Sequence, residues 1–165
     1  MNINVFYAHS SSSTEEEVRA GMNAVRMAMA QKFKRNGNTV TVRITSGKVA
    51  WTEGFNPSLV GDYSTRMNNG WAQWAGGVAK EKDRVTGKPR YDIFVCPDQR
   101  CGSATHTILD SALRLGRPVF MWDGSKFHVV TAVLCYDSDD WKSGFMLHLS
   151  SPNDGIALDT NDKQL

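Results

Sequence analysis

No single residue class dominates this 165-residue chain, and what it lacks narrows its class. The 19 Lys and Arg against 17 Asp and Glu leave a formal charge of +2. That is far from the basic surplus of a nucleic-acid-binding domain, so nucleic acid is not an expected partner. No apolar run approaches the roughly 20 residues of a membrane span, so no membrane partner is expected either. Three cysteines cannot all pair with one another, and no signal-peptide pattern opens the chain. A reducing, cytoplasmic setting is the expectation. There is no internal repeat and no low-complexity stretch beyond the serines at 10–13. What is present, 41% hydrophobic and 22% charged residues, describes an ordinary globular protein. The length suits one domain, read as 1–151, followed by a polar tail at 152–165.

The chain is organised around residues 91–122. Tyr91 to Cys96 is a short apolar run rich in strand formers, as expected of a strand buried on both faces. Ile108, Leu109, Ala112 and Leu113 then recur at helical spacing, Gly116 ends that helix, and Pro118 to Trp122 forms a second buried strand. Upstream, residues 2–8 make a first strand, and Thr14 with Glu17 forms a capping box. The helix that follows is expected to run to about residue 35, with Val18, Met22, Val25, Met29 and Phe33 on one face and Asn36-Gly37 at its end. Gly21 within it would permit a close packing contact.

Residues 39–45 alternate as a less buried strand, 46–61 form an irregular loop, and 63–79 read as a helix bearing Trp71, Trp74 and Val78. Residues 80–90, with five basic and two acidic side chains, read as an exposed turn. Asp123-Gly124 signals a hairpin into strands at 127–136 and 145–149. Connections this short favour antiparallel additions. The fold class is therefore α/β, a mostly parallel sheet with antiparallel C-terminal strands.

In such a sheet, ligands sit beyond the carboxyl ends of the strands. There the chain places a nine-residue polar loop, 97–105, with Gly102, Ser103, Ala104 and Thr105 leading into the helix and Ser103 or Thr105 as its N-cap. The unpaired amides of a first helical turn, with the positive end of the helix dipole, suit a phosphate, a carboxylate or a sugar hydroxyl. Tyr7, His9 and Ser10, at the end of the first strand, should open on the same rim. Arg100 is a phosphate partner by its guanidinium geometry, as is Arg66.

Two sets of residues now point to a family. Thr105, Ala112, Leu113, Leu115, Gly116, Arg117, Pro118 and Val119 follow a strand that opens Tyr91-Asp92, and the first strand ends Phe6, Tyr7, Ala8, His9, Ser10. Together they resemble the nucleoside 2-deoxyribosyltransferase-like and lysine-decarboxylase-like nucleotide-binding group. The resemblance covers about two-thirds of the chain and implies a Rossmann-like three-layer sandwich. It also implies a nucleoside or nucleotide ligand, N-glycosidic chemistry as transferase or hydrolase, and, by analogy, a homo-oligomer. The family's nucleophilic glutamate stands three residues after the motif threonine, where this chain has Ile108. Isoleucine cannot attack an oxocarbenium-like centre. Asp98 is the spare carboxylate facing the site and the candidate catalytic residue. The alternative function is a non-catalytic module that captures a nucleotide-like signal or docks a protein partner.

Other constellations carry less. Cys96, Cys101 and His106 match no common zinc spacing, so neither a metal nor a cofactor is expected. Cys101, beside Arg100 and near a helix N-terminus, has two features that favour a thiolate, although a structural loop cysteine is the stronger reading. Trp71 and Trp74 read as core rather than base-stacking residues, and His128 and His148 as strand histidines.

Overall fold

A computed structural model describes residues 2–10, 12–34, 40–47, 71–136 and 144–150 (backbone alone for 71–74 and 136). Its elements, in order, are β1 (Asn2–Tyr7), α1 (Glu15–Phe33), β2 (Thr41–Thr45), α2 (Trp71–Val78), β3 (Ile93–Cys96), β4 (Arg100–Cys101), α3 (Ser103–Arg114), β5 (Val119–Trp122), β6 (Phe127–Tyr136) and β7 (Gly144–Leu149). The expected helix end at Asn36-Gly37, Arg66 and most of the 46–61 loop lie outside the described residues. So do the first half of the 63–79 helix and the 152–165 tail.

The seven strands form one mixed α/β sheet in the order β2-β1-β3-β5-β6-β7-β4. Its core of β2, β1, β3 and β5 is parallel. Strands β6, β7 and β4 extend it with antiparallel pairings. Every residue of β3 and β5 is buried, and alternation sends successive side chains to opposite faces. One apolar cluster joins Val5, Tyr7, Val95, Phe120 and Trp122 to Val18, Met22, Val25, Met29 and Phe33 of α1. The other joins Phe6, Phe94, Cys96 and Met121 to Ala75 and Val78 of α2 and to Ile108, Leu109 and Ala112 of α3. Helices therefore cover both faces of the parallel core, as strands apolar on both sides require.

Local chemistry sets the ends of the elements. At the head of α1, Thr14 Oγ1 accepts from Glu17 N at 3.1 Å and Glu17 Oε1 accepts from Thr14 N at 3.4 Å. That satisfies two orphan amides reciprocally. Gly116, at φ +71°, turns the chain out of α3 in the left-handed region that glycine enters without steric cost. The basic turn at 80–90 is exposed as expected and is pinned by Asp83, which accepts from Val85 N and Thr86 N. The hairpin at Asp123-Gly124 also forms, with Trp122 opposite Phe127.

Two expectations need correcting. Neither Ser103 nor Thr105 caps α3: the N-cap is Gly102, which offers no side-chain bond, and Ser103 is already helical. The 97–105 segment is also not one open loop. Arg100 and Cys101 pair with Met146 and Phe145 of β7, and Leu147 N donates to Gln99 O at 2.8 Å. A register shift between Val130 and Ala132 interrupts the β6–β7 ladder just beyond residues 127–129, which pair with β5. Bulges of this kind bend and twist a strand.

Gly21, in the second turn of α1, faces the Tyr7 ring so closely that a Cβ there would collide with the Tyr7 hydroxyl and lie 3.0 Å from Cζ. We predict that Gly21→Ala destabilises the protein by about 1–3 kcal/mol, the usual cost of overpacking a filled core. Thermal denaturation should show a fall of roughly 5 °C, given about 2–4 °C per kcal/mol for a domain of this size. Adding Tyr7→Phe should recover part of the loss, whereas additive effects of the two changes would place the strain elsewhere.

Candidate functional site

The parallel core changes direction at β1. From β1 the chain crosses to β2 on one side, and later returns through β3 to β5 on the other. The carboxyl ends of β1 and β3 therefore border the crevice where the loops of an open sheet diverge. Ala8 N donates to Val95 O at 2.8 Å, which holds the two strand ends together. Thr105, 7% exposed, donates from Oγ1 to His9 O at 3.4 Å. The β1–α1 loop and the head of α3 thus form one rim, as the sequence implied.

Along this rim, His9 is half-buried, with Nδ1 donating to Ser10 O at 2.8 Å, and Ser10 is exposed. The Ser10 hydroxyl accepts from Ser12 N at 3.3 Å and shares a 2.9 Å hydrogen bond with the Ser12 hydroxyl. Gly102 and Ser103 are exposed at the head of α3, and the space a Gly102 side chain would enter is open. Arg100 is exposed on β4. Tyr7, by contrast, is 3% exposed and belongs to the cluster beneath α1, so it forms floor rather than wall. Thr105 likewise spends its hydroxyl on the neighbouring loop. Both therefore shape the rim from beneath.

Asp98 is half-buried between β3 and β4, and its charge bears on three neighbours. Burial comes first for each of them. It pushes the Tyr7 hydroxyl and the Cys96 thiol far above their usual range. The Asp98 charge adds to the Tyr7 shift, whereas at Cys96 the hydrogen bond to the Asp98 backbone opposes the rise more than the Asp98 charge supports it. In that bond Cys96 Sγ donates to the Asp98 carbonyl at 3.2 Å. Cys101 is pushed up to about 11 by burial and then by Asp98. The thiolate that Arg100 and a helix N-terminus would favour is therefore overruled, because desolvation and a like charge both oppose ionisation.

Two features here escaped the sequence. The two-residue strand β4 is too short for any periodic signal. His106 stacks on Phe145 of β7, with centroids 3.8 Å apart and planes at 11°. Burial lowers the affinity of that imidazole for a proton. Among the described residues, no three His, Cys, Asp or Glu side chains converge as metal ligands.

Comparison with known proteins adds no relative: no family model matches the chain, and neither does any curated protein or solved structure.

The raised thiol and phenol have a pH consequence. Cys101 moves from 9.0 to about 11 on folding, and Tyr91 from 10.0 to about 12, chiefly by burial. Both groups hold their protons longer in the folded state, so the unfolded chain loses protons first as pH rises. Folding stability should therefore be level at neutral pH and fall progressively between about pH 9 and 12, as read by urea midpoints across that range. Cys101 should alkylate slowly with iodoacetamide at pH 8, and Asp98→Asn should speed the reaction. An unchanged rate in that variant would mean that Asp98 does not act on the thiol.

Proposed function

We propose that this chain is a Rossmann-like nucleoside- or nucleotide-binding protein whose ligand rests on the rim between the β1–α1 loop and the head of α3. One observation carries this reading. The uncapped N-terminus of α3 stands beside the carboxyl ends of β1 and β3, where the strand order of the parallel core reverses. Free first-turn amides and the helix dipole favour an anionic group there, and Gly102 leaves the approach open. Ser103 and Arg100 are the side chains for phosphate, and His9 and Ser10 supply the opposite wall. Asp98 suits the hydroxyls of a sugar, since an ionised carboxylate only accepts hydrogen bonds.

Capture rather than cleavage is the form we favour. Ile108, which stands where the resembled family carries its nucleophilic glutamate, is 3% exposed and packs in the cluster with Leu109 and Phe94. An enzymatic version would have to use Asp98 on the N-glycosidic bond.

A thermal-shift panel of nucleosides, mononucleotides and cyclic dinucleotides tests the proposal. A ligand at about 100 times its Kd should add roughly 2.7 kcal/mol and raise the melting temperature by several degrees. Gly102→Asp should stabilise the free protein by a few tenths of a kcal/mol through capping while abolishing the shift, because its carboxylate occupies the anion's place. Chromatography for released base should find none. Release that disappears in Asp98→Asn would establish the hydrolase instead, and a panel with no shift would remove the nucleotide reading.

A further inference from the structure

A second concavity lies on the α1 face, away from the residues assigned to the rim. It is a cleft of about 320 Å³ between the C-terminal half of α1 and the β5–β6 turn. That volume falls at the lower end of the range for small-molecule sites. Its floor is Trp122 and Phe127, whose rings meet at 4.6 Å between centroids. Lys32 and Gln31 of α1 stand on one side, Ser125 and Lys126 on the other. Both lysines are exposed, and among the described residues neither has an ion-pair partner.

The turn that carries Lys126 is tightly specified. Asp123 Oδ1 accepts from Ser125 N and Lys126 N, both at 2.8 Å, and from Ser125 Oγ at 3.0 Å. Asp123 Oδ2 meets His128 Nε2 at 2.7 Å. Both oxygens of this carboxylate are thus engaged within the hairpin, so it is not turned to a ligand, and its single negative charge is outnumbered by the two ammonium groups beside the cleft. Its chemistry is then an aromatic floor flanked by two cations and one amide.

We propose that this cleft is a ligand site, separate from the rim, for a small aromatic carboxylate. The flat apolar body would lie against Trp122 and Phe127, and the carboxylate would meet Lys32 and Lys126, with the Gln31 amide as a further donor. Lysine ammonium groups on flexible stems suit a carboxylate whose exact placement varies.

The experiment is a titration of the full chain with three probes that share a naphthylmethyl body and differ in charge, naphthylacetate, naphthylacetamide and naphthylmethylamine, followed by NMR. Naphthylacetate should move the Trp122 indole and Lys126 amide resonances and bind about tenfold tighter than the neutral or cationic probe, a preference that shrinks as salt is raised. The pair Lys32→Glu and Lys126→Glu should erase the preference. If that pair fails to fold, Lys32→Gln with Lys126→Gln removes the same charges at exposed positions. Gly102→Asp, which blocks the rim, should leave naphthylacetate binding unchanged. Equal binding of the amine, a preference that survives in the folded double variant, or perturbations centred elsewhere would overturn the assignment.

Discussion

The burial of β3 and β5 on both faces is the constraint from which the rest of this structure follows. Ile93, Phe94, Val95 and Cys96 have no polar side to offer water, and neither do Val119, Phe120, Met121 and Trp122. Such strands are stable only where helices pack on each face. Among the described residues, one face is met by the long helix α1, through Val18, Met22, Val25, Met29 and Phe33. The other is met by α2 and α3 together. The chain must therefore cross the sheet on opposite faces at different steps. That crossing puts the carboxyl ends of β1 and β3 at a point where the loops part, and the candidate site is a by-product of satisfying the core.

The antiparallel half of the sheet adds precision to this opening. Hairpin β6–β7 swings past its bulge, and β7 catches residues 99–101 as a short edge strand. Phe145 covers His106, and Leu147 joins the apolar cluster against α3. A nine-residue loop alone would carry considerable conformational freedom, and each residue fixed there costs about 1–2 kcal/mol of backbone entropy. Strand pairing and the His106–Phe145 stack oppose that cost. The head of α3 is thereby held still, although no side chain caps it. A helix N-terminus that is both uncapped and rigid is preorganised for an external group, which is the property a binding rim requires.

Much of this was written in the sequence wherever a residue's own chemistry dictated its local structure. The Thr14–Glu17 capping box, the spacing of Val18 to Phe33, the apolar runs of β3 and β5 and the Asp123-Gly124 hairpin each express one short-range rule. The close approach at Gly21 was legible as a glycine where a helix gains nothing from one, although its partner Tyr7 was not. What escaped depends on distant partners. Strand β4 exists only because β7 arrives beside it, some 45 residues later, and two residues carry no period of their own. The thiol of Cys101 shows the same limit. Its neighbours in sequence favour ionisation, while burial and the Asp98 charge, both products of the tertiary fold, oppose it.

Asp98 also gives the rim a direction. Its negative charge is felt at Tyr7 of β1, Cys96 of β3 and Cys101 of β4. The α3 N-terminus, a helix turn away along the chain, carries the positive end of a dipole equivalent to about half a charge. A ligand with a uniform negative charge would gain at one end and lose at the other. A ligand with an anionic end and a hydroxyl-bearing end gains at both, because the carboxylate accepts from hydroxyls while the amides donate to the anion. Nucleosides alone supply only the second feature and inorganic phosphate only the first. The electrostatics of the rim are therefore two-sided, with the positive end of the α3 dipole at Gly102 and Ser103 and a carboxylate at Asp98.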